Sequence, residues 1–262
     1  MTRVDRIRIN YTLTFQTPFH FGTGIRQALI DRTVVRDADD YLYVPGSTFK
    51  GVVREHCEQL ACLYEELDTD VRDRLISPHN EKLALRDLGY RTTMISRIFG
   101  SHNHPGSLFF DDARQSSDDK KQYDSRERGG RGRYKGLQTD LYTQVRLNRP
   151  TRTSVPGALY TSEFGLNDLS FNGSISGWLK CTPIETLENG PTYSLLLLLA
   201  GLLMLDRIGG NKSTGKGQCT CNITDLKMGG SDYKGEQWQH WLDHLDALSY
   251  YSTFAATQEE EA

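Results

Sequence analysis

Cysteine is scarce in this chain. Its five cysteines among 262 residues are an odd number without framework spacing, which excludes a disulfide-built scaffold. No C-x-x-C pair occurs, so Cys57 and Cys62, even with His56 and His79 nearby, read as free thiols rather than zinc ligands. Cys219 and Cys221 alternate on one face of an expected strand and read the same way. Long apolar runs are also lacking: Leu195–Leu205 is too short to cross a bilayer, which takes about 20 residues. Met-Thr-Arg-Val-Asp-Arg at the N-terminus contains no apolar signal core. A cytoplasmic protein with no membrane partner is expected. No internal repeat is evident.

A large excess of one charge is missing too, with a formal net charge of −3. The charge is nevertheless unevenly spread. Between Lys120 and Arg152 stand ten Lys/Arg (120, 121, 126, 128, 131, 133, 135, 146, 149, 152) against Asp124, Glu127 and Asp140. Phosphate binding follows the local field rather than the total, so a nucleic-acid partner stays open. The alternative for the basic run is a solvated loop. Residues 114–136 hold almost no apolar side chains and are expected to be a flexible basic insertion, and residues 255–262 a disordered acidic tail.

What is present points to an α+β domain spanning 1–262, with 37% apolar residues to build its core. Ile7, Ile9, Tyr11, Leu13 and Phe15 alternate with polar residues as in a half-buried strand. Thr33–Arg36 and Tyr41–Val44 flank Asp37-Ala38-Asp39-Asp40, a hairpin signal in which the aspartates serve the turn. Phe49, Val52, Val53, Cys57, Leu60 and Tyr64 have helical spacing after Pro45-Gly46-Ser47, with Ser47 as the expected N-cap. Lys50 and Arg54 stand four apart near that helix start, a candidate phosphate clamp with Ser47. Ala158–Phe164 and Leu169–Lys180 read as strands, with Gly157, Gly165 and Gly173 at turns or bulges. Trp238, Trp241, Leu242, Leu245 and Leu248 form an apolar stripe suited to the core or a subunit contact.

The most suggestive segment is Gly209-Gly210-Asn211-Lys212-Ser213-Thr214-Gly215-Lys216-Gly217. Glycines permit the backbone angles that turn several N–H groups toward one anion, so a phosphate ligand is expected. Gly210–Lys216 fits G-x-x-x-x-G-K, but Gly217 replaces the Ser or Thr that would hold magnesium. The expected order is helix Tyr193–Ile208, loop, then strand Gln218–Ile223, the reverse of a nucleotide-binding P-loop. A nucleic-acid backbone is the better ligand.

Five segments in order resemble the RAMP superfamily of CRISPR systems: Phe19-His20-Phe21-Gly22; Val44 to Arg54, like P-G-S-S-h-K-G-x-h-R with h apolar; Arg97-Ile98-Phe99-Gly100-Ser101; Thr143 to Arg149 with Pro156 to Phe164, like R-x-x-I-x-R … G-A-L-Y-x-x-E; and the glycine loop. Among its members the pattern is most similar to the backbone subunit of type III effector complexes. The resemblance implies an RRM-like (ferredoxin-like) palm with inserted elements and a thumb hairpin. It implies a CRISPR guide RNA, complementary target RNA and other effector subunits, including neighbouring RAMP subunits, as partners. It further implies cleavage of the paired target by a ribonuclease dependent on a divalent metal ion, Mg2+, with Asp31 as the functional acid.

By the same resemblance, Ser47, Lys50, Arg54, Arg146, Gly209, Gly210, Asn211, Lys212, Ser213, Thr214, Gly215 and Lys216 would bind guide phosphates without reading sequence. RNA carries its own nucleophile, the 2′-OH, so positioning and one carboxylate can suffice. The competing expectations for Asp31 are an ordinary loop acid or a salt bridge to Arg26 or Arg32. His20 reads as structural. Some relatives have a cysteine cluster after the first helix; here that interval holds only Cys57 and Cys62, so a structural zinc is not expected. Two rival functions remain: a non-catalytic guide-binding subunit, and a guide-processing ribonuclease.

Overall fold

A computed structural model describes residues 3–27, 29–65, 76–77, 93–101, 105–125, 138–184, 187 and 190–251. The strands are β1 (Arg3–Phe15), β2 (Tyr43–Val44), β3 (Leu108–Phe110), β4 (Ala113–Arg114), β5 (Thr139–Asn148), β6 (Thr153–Gly165), β7 (Ser170–Cys181), β8 (Cys219–Met228) and β9 (Ser231–Lys234). The α-helices are α1 (Gly46–Tyr64), α2 (Met94–Phe99), α3 (Ser117–Ser125) and α4 (Tyr193–Leu203). A 3-10 segment, Gln239–Tyr250, buries Trp241 and Leu248.

The strict alternation in β1 places it at the centre of the sheet, antiparallel to β7 on one side and β8 on the other. Strands β3 and β4 share the outer edge of β7, and β9 closes the far edge. Reading β1-α1-β3-β7-α4-β8 along the chain gives a βαββαβ unit with strands ordered β3-β7-β1-β8. That is the expected ferredoxin-like palm. β5 and β6 form a separate antiparallel hairpin inserted between β3 and β7, at the place of the expected thumb.

One face of the sheet carries the core. Tyr11 stacks on Phe49 of α1 with ring centroids 4.4 Å apart, and every residue of α4 from Tyr193 to Leu202 is buried. Cys57 donates to Leu197 O across the α1–α4 contact at 3.5 Å, and burial pushes its thiol up. Burial likewise pushes Cys219 and Cys221 up to about 12, so these are inert packing thiols. No helix among the described residues is long and apolar enough to cross a membrane.

Three expectations need revision. Ser47 is not the N-cap: Pro45 occupies that place without a side-chain bond, and Ser47 lies exposed inside the first turn. Asp112, from the β3–β4 connection, instead accepts from Gly46 N–H at 2.9 Å. Gly165 and Gly173 are close approaches rather than turns, because the rings of Phe19 and Tyr11 occupy the space where their side chains would stand. The start of the 114–136 stretch is regular, with β4 followed by α3. Ser116 caps that helix by accepting from Asp119 N–H at 3.1 Å, and Lys120 reaches Asp37 at 3.5 Å. Residues 126–137 and the expected acidic tail 255–262 lie outside the described residues.

Gly46 lies against the backbone of Phe110 and Asp111, so a methyl group there would strike carbonyl atoms that cannot rotate away. Gly46→Ala is expected to lower stability by about 1–3 kcal/mol in urea unfolding, the usual cost of overpacking.

Candidate nucleic-acid interface

The chain leaves β1 through a cluster of Phe15, Phe19, Phe21 and Phe171 and then runs alongside β6. Asp31 and Arg32 donate their N–H groups to Thr161 O at 2.9 and 3.2 Å, and Thr161 N–H returns a bond to Asp31 Oδ2 at 2.9 Å. A tight pair of bonds between Gln27 and Ile30 turns the loop just before Asp31. The Arg26 guanidinium stands 3.8 Å from Oδ1, on a side chain 82% exposed, so this ion pair is weak. Asp31 is thus oriented by the backbone of the hairpin and left 34% exposed.

Glu163, two residues along β6, holds this arrangement. Its carboxylate accepts from Val34 N–H at 3.0 Å, from Arg36 at 2.7 Å and from Thr139 at 2.7 Å. Its own N–H donates to Arg32 O at 2.9 Å, and its carbonyl meets His20 Nδ1 at 2.8 Å. Burial alone would raise its pKa. Donation from Val34, Thr139 and Arg36, with the Arg36 charge, outweighs burial and holds it below the usual glutamate range. The sequence motif contains Glu163 without pointing to this role. The available signal is an acid between Ser162 and Phe164 in an expected strand.

The glycine loop folds onto the same site. Gly209, Asn211, Gly215 and Gly217 all have positive φ. Gly210 donates to His20 O at 2.8 Å and Gly217 to Pro18 O at 2.9 Å, while Thr214, Gly215 and Lys216 donate back within the loop. Five N–H groups are therefore already committed, and the loop is a folded turn rather than a ring of amides converging on one anion. Its cations also have neighbours. Lys212 lies 3.7 Å from Glu55 of α1, and Lys216 sits 4.2 Å from the ring centre of Tyr142 on the hairpin. The order helix, loop, strand matches the expected order.

His20, Asp31, Arg26, Arg32, Gly210 and Asn211 line one open cavity of about 470 Å³. Lys50 and Arg54 lie on α1 instead. Arg54 is held by Glu58 at 2.8 Å, whereas Lys50 has no carboxylate at ion-pair distance among the described residues. Burial, then the neighbouring Arg54 charge, keeps Lys50 below the ordinary lysine range, a penalty that a bound phosphate would relieve. Arg146 is exposed on β5 where the hairpin register breaks between Val145 and Leu147, away from the cavity lining. The described residues contain no cluster of three metal-ligating side chains. Asp31 alone suits an ion shared with phosphate oxygens rather than one caged by protein.

A family model described as the RAMP superfamily matches residues 12–220. No protein of curated function matches the sequence. Among solved structures, a chain of the type III-B Cmr-beta complex in its apo state is similar at 12% identity and a TM-score of 0.49, covering 82% of this chain and 96% of that one. A chain of the Cmr-beta complex bound to cognate target RNA is similar at 12% identity and a TM-score of 0.48, covering 84% and 96%.

Glu163→Gln is expected to lower stability at neutral pH by about 1.5–3 kcal/mol through its charged hydrogen bonds. Because its pKa is lowered on folding, the carboxylate stabilises fully above the ordinary glutamate range, and that contribution is lost as pH falls through the lowered value. Urea unfolding of both proteins along a descending pH series should therefore show the gap between them closing in acid.

Proposed function

The chain belongs to the RAMP superfamily, whose model it matches over residues 12–220, and from that premise we propose that it is a guide-RNA-binding backbone subunit of a type III CRISPR effector that cleaves the paired target RNA. The carrying observation is that Asp31, oriented by Thr161 N–H, lines one cavity with the start of the glycine loop. Guide RNA would lie along the palm, with Lys50 and Arg54 on its phosphates. Complementary target RNA would then reach the loop bearing Asp31. Neighbouring RAMP subunits would extend the same track.

The chemistry asked of the protein is small. A target nucleotide splayed beside Asp31 brings its 2′-OH in line with the adjacent phosphorus. Asp31 accepts the hydroxyl proton, the O2′–P bond forms and the P–O5′ bond breaks. The products are a 2′,3′-cyclic phosphate and a 5′-alkoxide that takes a proton from water. Arg26 and Arg32, both exposed at the cavity, offer charge to the crowded phosphate. A divalent ion held by Asp31 and RNA oxygens would neutralise the same charge.

A non-catalytic reading has one observation in its favour. Asp31 already accepts from Thr161 N–H, so its carboxylate also serves to pin the loop to the hairpin.

Asp31→Ala in the assembled complex is expected to slow target cleavage at least a hundredfold in magnesium while guide and target binding stay intact. Gel analysis with magnesium and with EDTA checks this, and unchanged cutting would leave the chain a scaffold. Lys50→Ala and Arg54→Ala are expected to weaken RNA binding alike at all sequences, each reducing the slope of log K against log salt by about 1. Filter binding across a salt series distinguishes this from sequence-selective loss.

A further inference from the structure

The helices cover one face of the sheet, and no described element covers the other. Alternate residues of β1 point to the open face, where pairing puts Arg6 directly opposite Trp178 and Arg8 opposite Ser176. Phe109 of β3 pairs with the same Ser176, so its ring is the diagonal neighbour of Trp178, about 7–8 Å away by sheet geometry. The two aromatic residues are 68% and 59% exposed. Exposed leucines are common on proteins, but two adjacent aromatic rings left in water on a regular sheet are not.

The backbone holds them there. β3 approaches β7 over Gly177, where any side chain would strike Ser107 O, so glycine at this position lets Phe109 reach the row beside Trp178. The cations nearest the two rings are unmatched. Arg6, Arg8 and Lys180 have no carboxylate at ion-pair distance among the described residues, whereas Lys227, next along the row, is matched by Asp232 at 3.0 Å. The acids of this face are engaged by neighbours: Asp232 by Lys227, and, one row further from Trp178, Asp111 by Ser174 and Asp225 by Asn10. Cores of protein–protein interfaces are depleted of charge, while unpaired nucleic acid is gripped by aromatic faces set among cations.

We infer that this corner of the open face is a second RNA contact, a stacking platform for unpaired bases. Two bases lie on Phe109 and Trp178, and the phosphates between them meet Arg6, Arg8 and Lys180. Stacking of this kind tolerates any base, because every base presents a π-face. The platform lies seven to nine residues of extended β1, roughly 25–30 Å, from the end of that strand, where the chain sets out towards the Asp31 loop. It stands whether or not Asp31 is catalytic.

The chain contains three tryptophans, and Trp238 and Trp241 are buried, so a change in emission on contact with RNA reports Trp178. The full chain would be titrated with a ten-nucleotide oligouridine and with a blunt RNA duplex of equal length, following fluorescence and, in parallel, the anisotropy of labelled RNA. Oligouridine is expected to quench Trp178 and the duplex to leave it unchanged. Trp178→Phe should abolish the quench, and Phe109→Ala with Trp178→Ala should weaken oligouridine binding at least tenfold. A Lys50→Ala, Arg54→Ala variant should keep the quench, so failure of the guide-site reading is seen separately. Oligouridine binding with unchanged Trp178 emission, and equal affinity of the double aromatic variant, would overturn the platform. An emission change that follows protein concentration without RNA would instead identify a contact between copies of the chain, and would overturn it as well.

Discussion

The buried carboxylate of Glu163 sets the geometry of the whole candidate site. A buried carboxylate must be met by donors or it is very costly, and here the donors come from separate parts of the chain: Val34 and Arg36 in the loop after β1, and Thr139 at the start of β5. Satisfying them leaves the loop one register against β6. That register is what sets Asp31 against Thr161 and aligns His20 with the Glu163 carbonyl. The hairpin is therefore more than an appendage of the palm, because its strand β6 fixes the loop that lines the cavity.

The palm contributes close packing around that loop. Glycine at 46, 165, 173 and 201 lets backbone, ring or thiol approach where a side chain would block it. These contacts bring α1 onto the sheet and the loop after β1 onto the end of β6. The glycine loop then closes over His20, with Lys216 resting on Tyr142 of the hairpin. Palm, hairpin and glycine loop are thus joined around one opening, while the opposite face of the sheet is left free with its own cations and aromatic residues.

Much of this was legible in the chain because it depends on local periodicity. The alternation of β1, the apolar run of α4, the turn Asp37–Asp40 and the order helix, glycine loop, strand are each carried by neighbouring residues. Other features depended on distant partners. Ser47 has the right chemistry for a cap, but Asp112, distant in sequence, meets the helix start instead. The glycine loop has the right composition for an anion nest, yet Pro18 and His20 take its donors. Helix α3 has almost no apolar pattern, and Lys120 ties it to Asp37 and Tyr41.

Sequence alone determined the class of the domain, the family resemblance, the elements of the palm and the candidacy of Asp31, since motif order and side-chain period are written in consecutive residues. Only the tertiary structure decided which groups share a cavity. It selected Glu163 as the clip, separated Lys50 from Asp31, and put Phe109 beside Trp178 on an uncovered face. The physical reason is the same throughout. A hydrogen bond, an ion pair or a stacked ring is defined by distance in space, and β-sheet pairing brings together residues that the chain keeps a hundred or more positions apart, as it does Arg6 and Trp178.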